Sequence, residues 1–358
     1  MRFEIVDFVD RPRAEWDALS VRAGNVFYER WAAEAAAALP EAAGARLLLA
    51  WDGAALAGLL PLQRRGAAGV TLATQNWEQR IRALGQPLIR GGDETAFWAG
   101  TLPFLDRHAG GAFLRLSSLA ADSPATAALL ALLDGCGRPY ELTRSYDRAI
   151  LRGGVSAEAH AREHVRAKVL KEHRRLRARL ADRGALVFDQ LAADANAAPW
   201  IDALFALELT GWKGRDGVAA AADPATDAAF RTMLSEAHAR GRLDFHRMTV
   251  GGEPVAMLAC IEGPGDTAIQ LKIAYHEEWA SFSPGVLLEM EYLAHALDRR
   301  GLSLVDSCAR AGHPMIDRIW PDRRTVISLA IPFDRWSSRV AVAAQAAARR
   351  WRTPKEAA

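Results

Sequence analysis

The sequence predicts a mixed α/β (α+β) protein made of two similarly built units, each a twisted sheet flanked by helices. Apolar, β-branched runs of strand length alternate with segments of helical periodicity along the chain. Two turn signals, Asp52-Gly53 and Gly251-Gly252, each separate a pair of apolar runs in the manner of a β-hairpin. The same order surrounds both turns. Phe27 to Leu62 runs helix, strand, turn, then Leu56-Ala57-Gly58-Leu59-Leu60-Pro61-Leu62, and Phe230 to Ile261 runs helix, strand, turn, then Val255-Ala256-Met257-Leu258-Ala259-Cys260-Ile261. Shared element order points to a duplication with a ligand cleft between the halves, although helix–hairpin units also recur by chance.

In order, Arg2 to Val9 alternates as a strand, Pro12 to Ala23 follows as a helix, and Arg30 to Leu39 makes a second helix around Trp31. The hairpin Arg46–Trp51 and Leu56–Gln63 leads to a loop holding Asn76-Trp77-Glu78 and a short strand at Pro87–Ile89. A helix over Asp93–His108, a strand at Ala112–Leu116, a helix at Pro124–Leu133 and an extended segment Tyr140–Arg152 complete the first half. A basic segment, Arg162–Arg183, carries nine Lys or Arg against three Asp or Glu. It reads as one helix with an apolar face of Val165, Val169, Leu176 and Leu180. That charge is either a solvated face or a patch for an acidic substrate, a cofactor phosphate or RNA. The second half then gives a strand at Leu186–Leu191, helices at Asn196–Leu209 and Asp223–Arg240, and the hairpin Leu243–Val250 with Pro254–Glu262. Next come a strand at Ala268–Tyr275, a helix at Gly285–Arg299, a strand at Ser303–Asp306, a short helix near Pro314 and a strand at Thr325–Ile331. The expected domains are 1–152 and 153–334, followed by a helix from Arg335 to Arg350 and a tail.

Hydrophobic residues make up 50% of the 358 and charged residues 25%, enough for a full core. A net charge of +2 argues against bulk binding to nucleic acid or membrane. Cys136, Cys260 and Cys308 are odd in number and far apart, as in a reducing compartment. The opening Met1-Arg2-Phe3-Glu4 carries no signal pattern, and no apolar run reaches membrane-spanning length, so a cytoplasmic location is expected.

The junction from Ala268 to Ala296 carries the most chemistry. A strand feeds a helix start through Ser283-Pro284-Gly285, with Ser283 as the expected N-cap, and the first N–H groups of that helix suit an anion such as a phosphate. An ordinary capped helix is the plainer reading. Lys272 lies mid-strand in a chain where only five of 45 basic residues are lysines. It fits carboxylate or phosphate binding or proton transfer, and equally the solvated face of a strand. Lys272 and Asp306 are expected to face one cleft.

Glu208-Leu209-Thr210-Gly211-Trp212-Lys213-Gly214, Leu271-Lys272-Ile273-Ala274-Tyr275, Phe282-Ser283-Pro284-Gly285 and Val305-Asp306-Ser307 together resemble the GNAT acyltransferases. The branch they resemble is the FemAB-like one that includes acetyltransferases of cellulose and other exopolysaccharide synthesis. The resemblance covers roughly Arg162 to Ile331, with the first half as a companion unit. It implies tandem GNAT-like units with mostly antiparallel sheets. It also implies that the Ala268–Tyr275 strand splays from its neighbour to bind the pantetheine of an acyl-CoA such as acetyl-CoA, with the diphosphate at Ser283, Pro284, Gly285 and Val286. The family's glycine-rich loop is reduced here to Ser283-Pro284-Gly285, a loss shared with relatives that use aminoacyl-tRNA.

N-acyl transfer needs a base, an oxyanion donor and an acid for the leaving thiolate. Asp306, at a strand end beside Ser307, is a candidate, as is Glu208 near a helix end; capping and surface roles are their alternatives. Tyr275 is a candidate acid and His276 a candidate base, while Trp212, Lys213 and Ser307 are candidates for substrate contact. Cys308 reads as acylated or as a buried strand cysteine. His276-Glu277-Glu278-Trp279-Ala280 fails the H-E-x-x-H pattern, and no metal, Walker or nucleophile-elbow motif occurs. The expected function is N-acyl transfer from acyl-CoA to an amine of a sugar, amino acid or envelope precursor, without a metal. An aminoacyl-tRNA-dependent transferase and an inactive binding protein of the same fold are the alternatives.

Overall fold

The computed structural model describes residues 1–21, 23–67 and 70–335. They form two compact units: residues 1–30 and 41–146 with the described residues from Thr325 on, and residues 31–40 with 147–324. The division falls inside the strand Glu141–Arg152. The expected helix from Arg335 to Arg350 and the tail lie outside the described residues.

In the first unit Arg2–Asp7, Arg46–Asp52, Ala55–Ala67 and Val70–Asn76 pair antiparallel in succession. Val70–Asn76 then runs parallel to Phe113–Ala120, which pairs antiparallel with Val326–Pro332. In the second unit Leu186–Gln190, Leu243–Val250, Glu253–Gly263 and Thr267–Tyr275 are successively antiparallel. Thr267–Tyr275 runs parallel to Leu304–Asp306, which pairs antiparallel with Ile150–Arg152. Each unit thus places one parallel pair after its hairpin, and a parallel pair needs a crossover. Glu94–His108 supplies it in one unit and Pro284–Ala294 in the other. Both units are therefore mixed, mostly antiparallel sheets flanked by helices.

Three sequence expectations are corrected. Val70–Asn76 is a strand rather than a loop, its Val and Thr content outweighing its polar end. The basic segment is two helices, Ala157–His164, capped by Ser156 on the Ala159 N–H, and Ala167–Ala181. Val165 between them is extended and buried, so the chain breaks to put that side chain into the core. The helix around Trp31, Arg30–Ala36, packs from Trp31 on with the second unit, its indole beneath the guanidiniums of Arg240 and Arg242.

The second unit's crossover helix is apolar on the side that meets the sheet. Leu287, Leu288, Tyr292 and Leu293 are buried with Met248, Val255 and Leu258, each large side chain contributing about 1.5–3 kcal/mol. The last turn widens to a π-helix at His295–Arg299. No helix among the described residues is long and apolar enough to cross a membrane.

Candidate active site

Thr267–Tyr275 pairs with Leu304–Asp306 only from Thr267 to Ile269. Asp306 ends the shorter strand because its Oδ1 accepts the Cys308 N–H at 2.9 Å, and Ser307 Oγ accepts the Ala309 N–H at 3.2 Å. These local turns carry the chain off at a left-handed Cys308 (φ 51°). From Gln270 to Tyr275 the longer strand continues with its edge on that side released from the ladder, beside the opening.

Two cavities occupy the opening. The outer one, about 370 Å³, is lined by Glu208, Trp212, Lys213, Tyr275, Ser283, Pro284, Gly285 and Val286 among others. The inner one, about 150 Å³, is lined by Lys272 and Ser307 among others. Lys213, Ile273, His313 and Met315 border both. All of these residues belong to the second unit. Arg310, His313, Met315 and Glu289 also line these cavities but were not among the candidates read from the sequence.

The helix Pro284–Ala294 begins with Ser283 at its N-cap position, but Ser283 is left-handed (φ 52°) and its hydroxyl makes no cap bond. Its expected capping role is therefore corrected: the αL backbone turns its side chain away from the first-turn N–H groups. A Cβ on Gly285 would lie 3.5 Å from Met315 Sδ and 3.6 Å from the Tyr275 ring, ordinary contact distances. Gly285 thus keeps the cavity wall low rather than relieving a clash.

A β-bulge decides where the strand's polar side chains go. Ala259 faces Lys272 while Cys260 faces Gln270, leaving Leu271 as the extra residue. Gln270 consequently reaches Glu289 on the crossover helix at 2.8 Å, and Lys272 reaches Glu208 on the helix Ala198–Thr210 at 2.7 and 3.0 Å. Glu208 is 3% exposed. It also accepts Lys213 Nζ at 3.0 Å and the Ala220 N–H at 2.9 Å, and Lys213 donates to the Ile273 carbonyl at 3.0 Å. Burial alone would raise the Glu208 carboxyl, but Lys272 and Lys213 outweigh it and hold the group below its usual range. Two ammoniums share this carboxylate. Burial and the like charge of Lys213 draw Lys272 down, partly offset by Glu208. The Phe230 ring lies 4.3 Å from Lys272 Nζ.

Asp306 belongs to a different network. It is 2% exposed and takes Arg148 at 2.8 Å and Arg324 at 2.9 Å. Lys272 and Asp306, expected to act together, are committed to separate ion clusters because the bulge sends Lys272 toward Glu208. Cys308 beside Asp306 has its thiol raised by burial and by the Asp306 charge, which disfavours the nucleophilic thiolate. His313 is drawn down by burial, with Asp317 opposing and Arg310 and Lys213 assisting, and its Nδ1 accepts the Ile316 N–H at 3.4 Å.

The model of the acetyltransferase (GNAT) domain family matches residues 167–313, the stretch that contains nearly all of this site. No curated protein matches the chain. Among solved structures it is similar to FemX (TM-score 0.58, 10% identity, covering 92% of this chain and 97% of that one). It is also similar to the C-terminal domain of a putative lysylphosphatidylglycerol synthetase from Agrobacterium fabrum (TM-score 0.57, 11% identity, 92% and 95%). L-PGS from Bacillus licheniformis is a third (TM-score 0.53, 13% identity, 91% and 93%). At these identities the likeness is one of fold. Residues 167–313 therefore match an acetyltransferase (GNAT) domain, within a fold of the kind found in FemX.

Proposed function

We propose that the second unit transfers an acyl group from an acyl-CoA to an amine of a sugar, amino acid or envelope precursor. The observation that carries this reading is the strand edge Gln270–Tyr275, released from its neighbour and opening onto the same cavity as the start of the Pro284 helix. An edge strand offers alternating N–H and C=O groups, which suit the amides of a pantetheine arm. The first-turn N–H groups at Gly285 and Val286 suit the diphosphate, with Arg310 on the same cavity wall. The residues present therefore fit an acyl-CoA without the family's glycine-rich loop. Trp212 offers an apolar face to the acceptor, and Tyr275 a phenol for the leaving thiolate. The Glu208–Lys213–Lys272 cluster holds the cavity wall in place. Asp306 positions the turn at Ser307 rather than acting as a base, since both of its oxygens are engaged.

Isothermal titration with CoA, acetyl-CoA and longer acyl-CoAs tests the donor. Millimolar or tighter binding is expected, and no binding to any of them ends the proposal. An aminoacyl-tRNA donor is the second reading. It is favoured by the helix Ala167–Ala181, whose Arg174 and Arg177 line a separate cavity of about 450 Å³ with His173. Titration with charged tRNA in place of CoA separates the two.

A further inference from the structure

Glu289 stands out among the ionisable groups of the second unit. It is fully buried on the crossover helix, at the wall of the inner cavity. Gln270 Nε2 occupies Oε2 at 2.8 Å, whereas Oε1 has no hydrogen-bond partner among the described residues. A buried carboxyl oxygen left unpaired is costly, and an amide or an apolar side chain would fill this place at less cost. Glu289 is one of the residues that line the inner cavity, so a donor bound there can complete its bonding.

The surroundings define which ligand satisfies it. Cys260 from the adjacent strand and Tyr292 from the same helix face this region, and burial holds both in their neutral forms. Asp244, the nearby anion, is engaged by His246 and His295. Lys272 and Lys213 are committed to Glu208. His313 and Cys308 complete the titratable lining, the first drawn toward its neutral form and the second held as a thiol. Glu289 therefore lines the cavity without a cation of its own among the described residues. Burial raises its carboxyl to about 7, against the opposing bond from Gln270.

Resting on the acyl-transfer reading above, we infer that the inner cavity is the acceptor subsite for a primary aliphatic amine, and that Glu289 binds its ammonium and takes its proton. The ammonium gives one proton to Glu289. The freed lone pair forms the C–N bond to the thioester carbonyl carbon, and the C–S bond breaks with its electron pair leaving on sulfur. The Tyr275 phenol gives its proton to that thiolate and is restored by the adduct's surplus N–H proton, giving amide and thiol, and Glu289 returns its own proton to solvent. A carboxyl that titrates near neutrality is matched to this task.

The test uses n-propylammonium on the full chain, followed by infrared spectroscopy of the protonated-carboxyl band. In the wild type that band titrates near pH 7 and is lost when the amine binds. Below pH 7 amine affinity falls about tenfold per pH unit, because the proton and the ammonium compete for the same oxygen. Glu289→Gln, nearly isosteric, lacks the band, binds the amine at least about tenfold more weakly and shows no such pH dependence. Ala309→Leu fills the same cavity from another wall and weakens amine binding while keeping the band. A band unmoved at saturating amine, no amine binding, or equal binding by wild type and Glu289→Gln overturns the inference. Acetyl-CoA calorimetry on the same samples keeps the two readings apart: its failure in the wild type removes the donor, and the amine results stand or fall independently.

Discussion

At the scale of single residues, charge pairing separates structural ions from reactive ones. Asp306 lies between two guanidiniums, one of them on the 1%-exposed Arg148. Asp306→Asn would leave those cations facing a neutral amide, so it is expected to destabilise the fold by about 3–5 kcal/mol, measured by urea unfolding. An unfolding midpoint like that of the wild type would show that the arginines find other partners. Glu289 should behave in the opposite sense. Its folded carboxyl, at about 7 against an ordinary 4.5, keeps its proton where the unfolded chain has lost it. The folded state then binds more protons between those values, and stability falls as pH rises from about 4.5 through 7. Glu289→Gln removes this burden and is expected to be more stable than the wild type at pH 8, by roughly 3 kcal/mol, and to converge with it near pH 4. Melting temperatures across that range are the measurement. A group that lowers stability where a glutamine would raise it is typical of a functional site.

At the scale of elements, the Pro284 helix is the one whose end matters most. Its first-turn N–H groups have no intrahelical partner, so Val286→Pro removes one of them without breaking a helical bond. The expected result is roughly tenfold or greater weakening of CoA binding, as for loss of a charge-assisted hydrogen bond, with little change in melting temperature. Unchanged CoA affinity would move the diphosphate away from this helix. The same helix shows what sequence could and could not reveal. Its boundaries and the preceding strand follow from apolar periodicity and from Pro284. Glu289 was legible in principle, since positions 285, 286, 292 and 293 around it are all apolar or small and place it on the buried stripe. What stayed hidden was non-local. The Lys272–Glu208 bond joins residues 64 apart, and its existence depends on a one-residue bulge that no spacing announces. Arg310, His313 and Met315 lie in a segment without periodicity, so nothing local marked them. Val70–Asn76 was missed because its polar end reads like a turn, and the break at Val165 because the basic residues around it are good helix formers.

At the scale of the whole molecule, the division into two units sets the limits of what can be cut away. The family match begins at Ala167, which suggests a fragment starting near the strand Glu141–Arg152 as a minimal acyltransferase. The unit that holds the site also includes residues 31–40. From that segment Trp31 is 4% exposed, with Ala32, Ala33, Ala35 and Ala36 buried alongside it, and the guanidiniums of Arg240 and Arg242 each lie 5.6 Å from the indole centroid. Arg242 also anchors the start of its hairpin through the Glu262 carbonyl at 2.7 Å. A fragment beginning at residue 141 would expose the surface that this helix covers. Truncating a buried tryptophan typically costs about 3–5 kcal/mol, a large share of a domain's stability. Trp31→Ala in the full chain is therefore expected to lower stability by that amount without altering any group that lines the cavities. The fragment is expected to be less stable than the full chain by more than the point variant. Urea unfolding of the three proteins, followed by tryptophan fluorescence and far-ultraviolet circular dichroism, makes the comparison. A fragment as stable as the full chain would show that residues 31–40 add nothing to the unit that carries the candidate site.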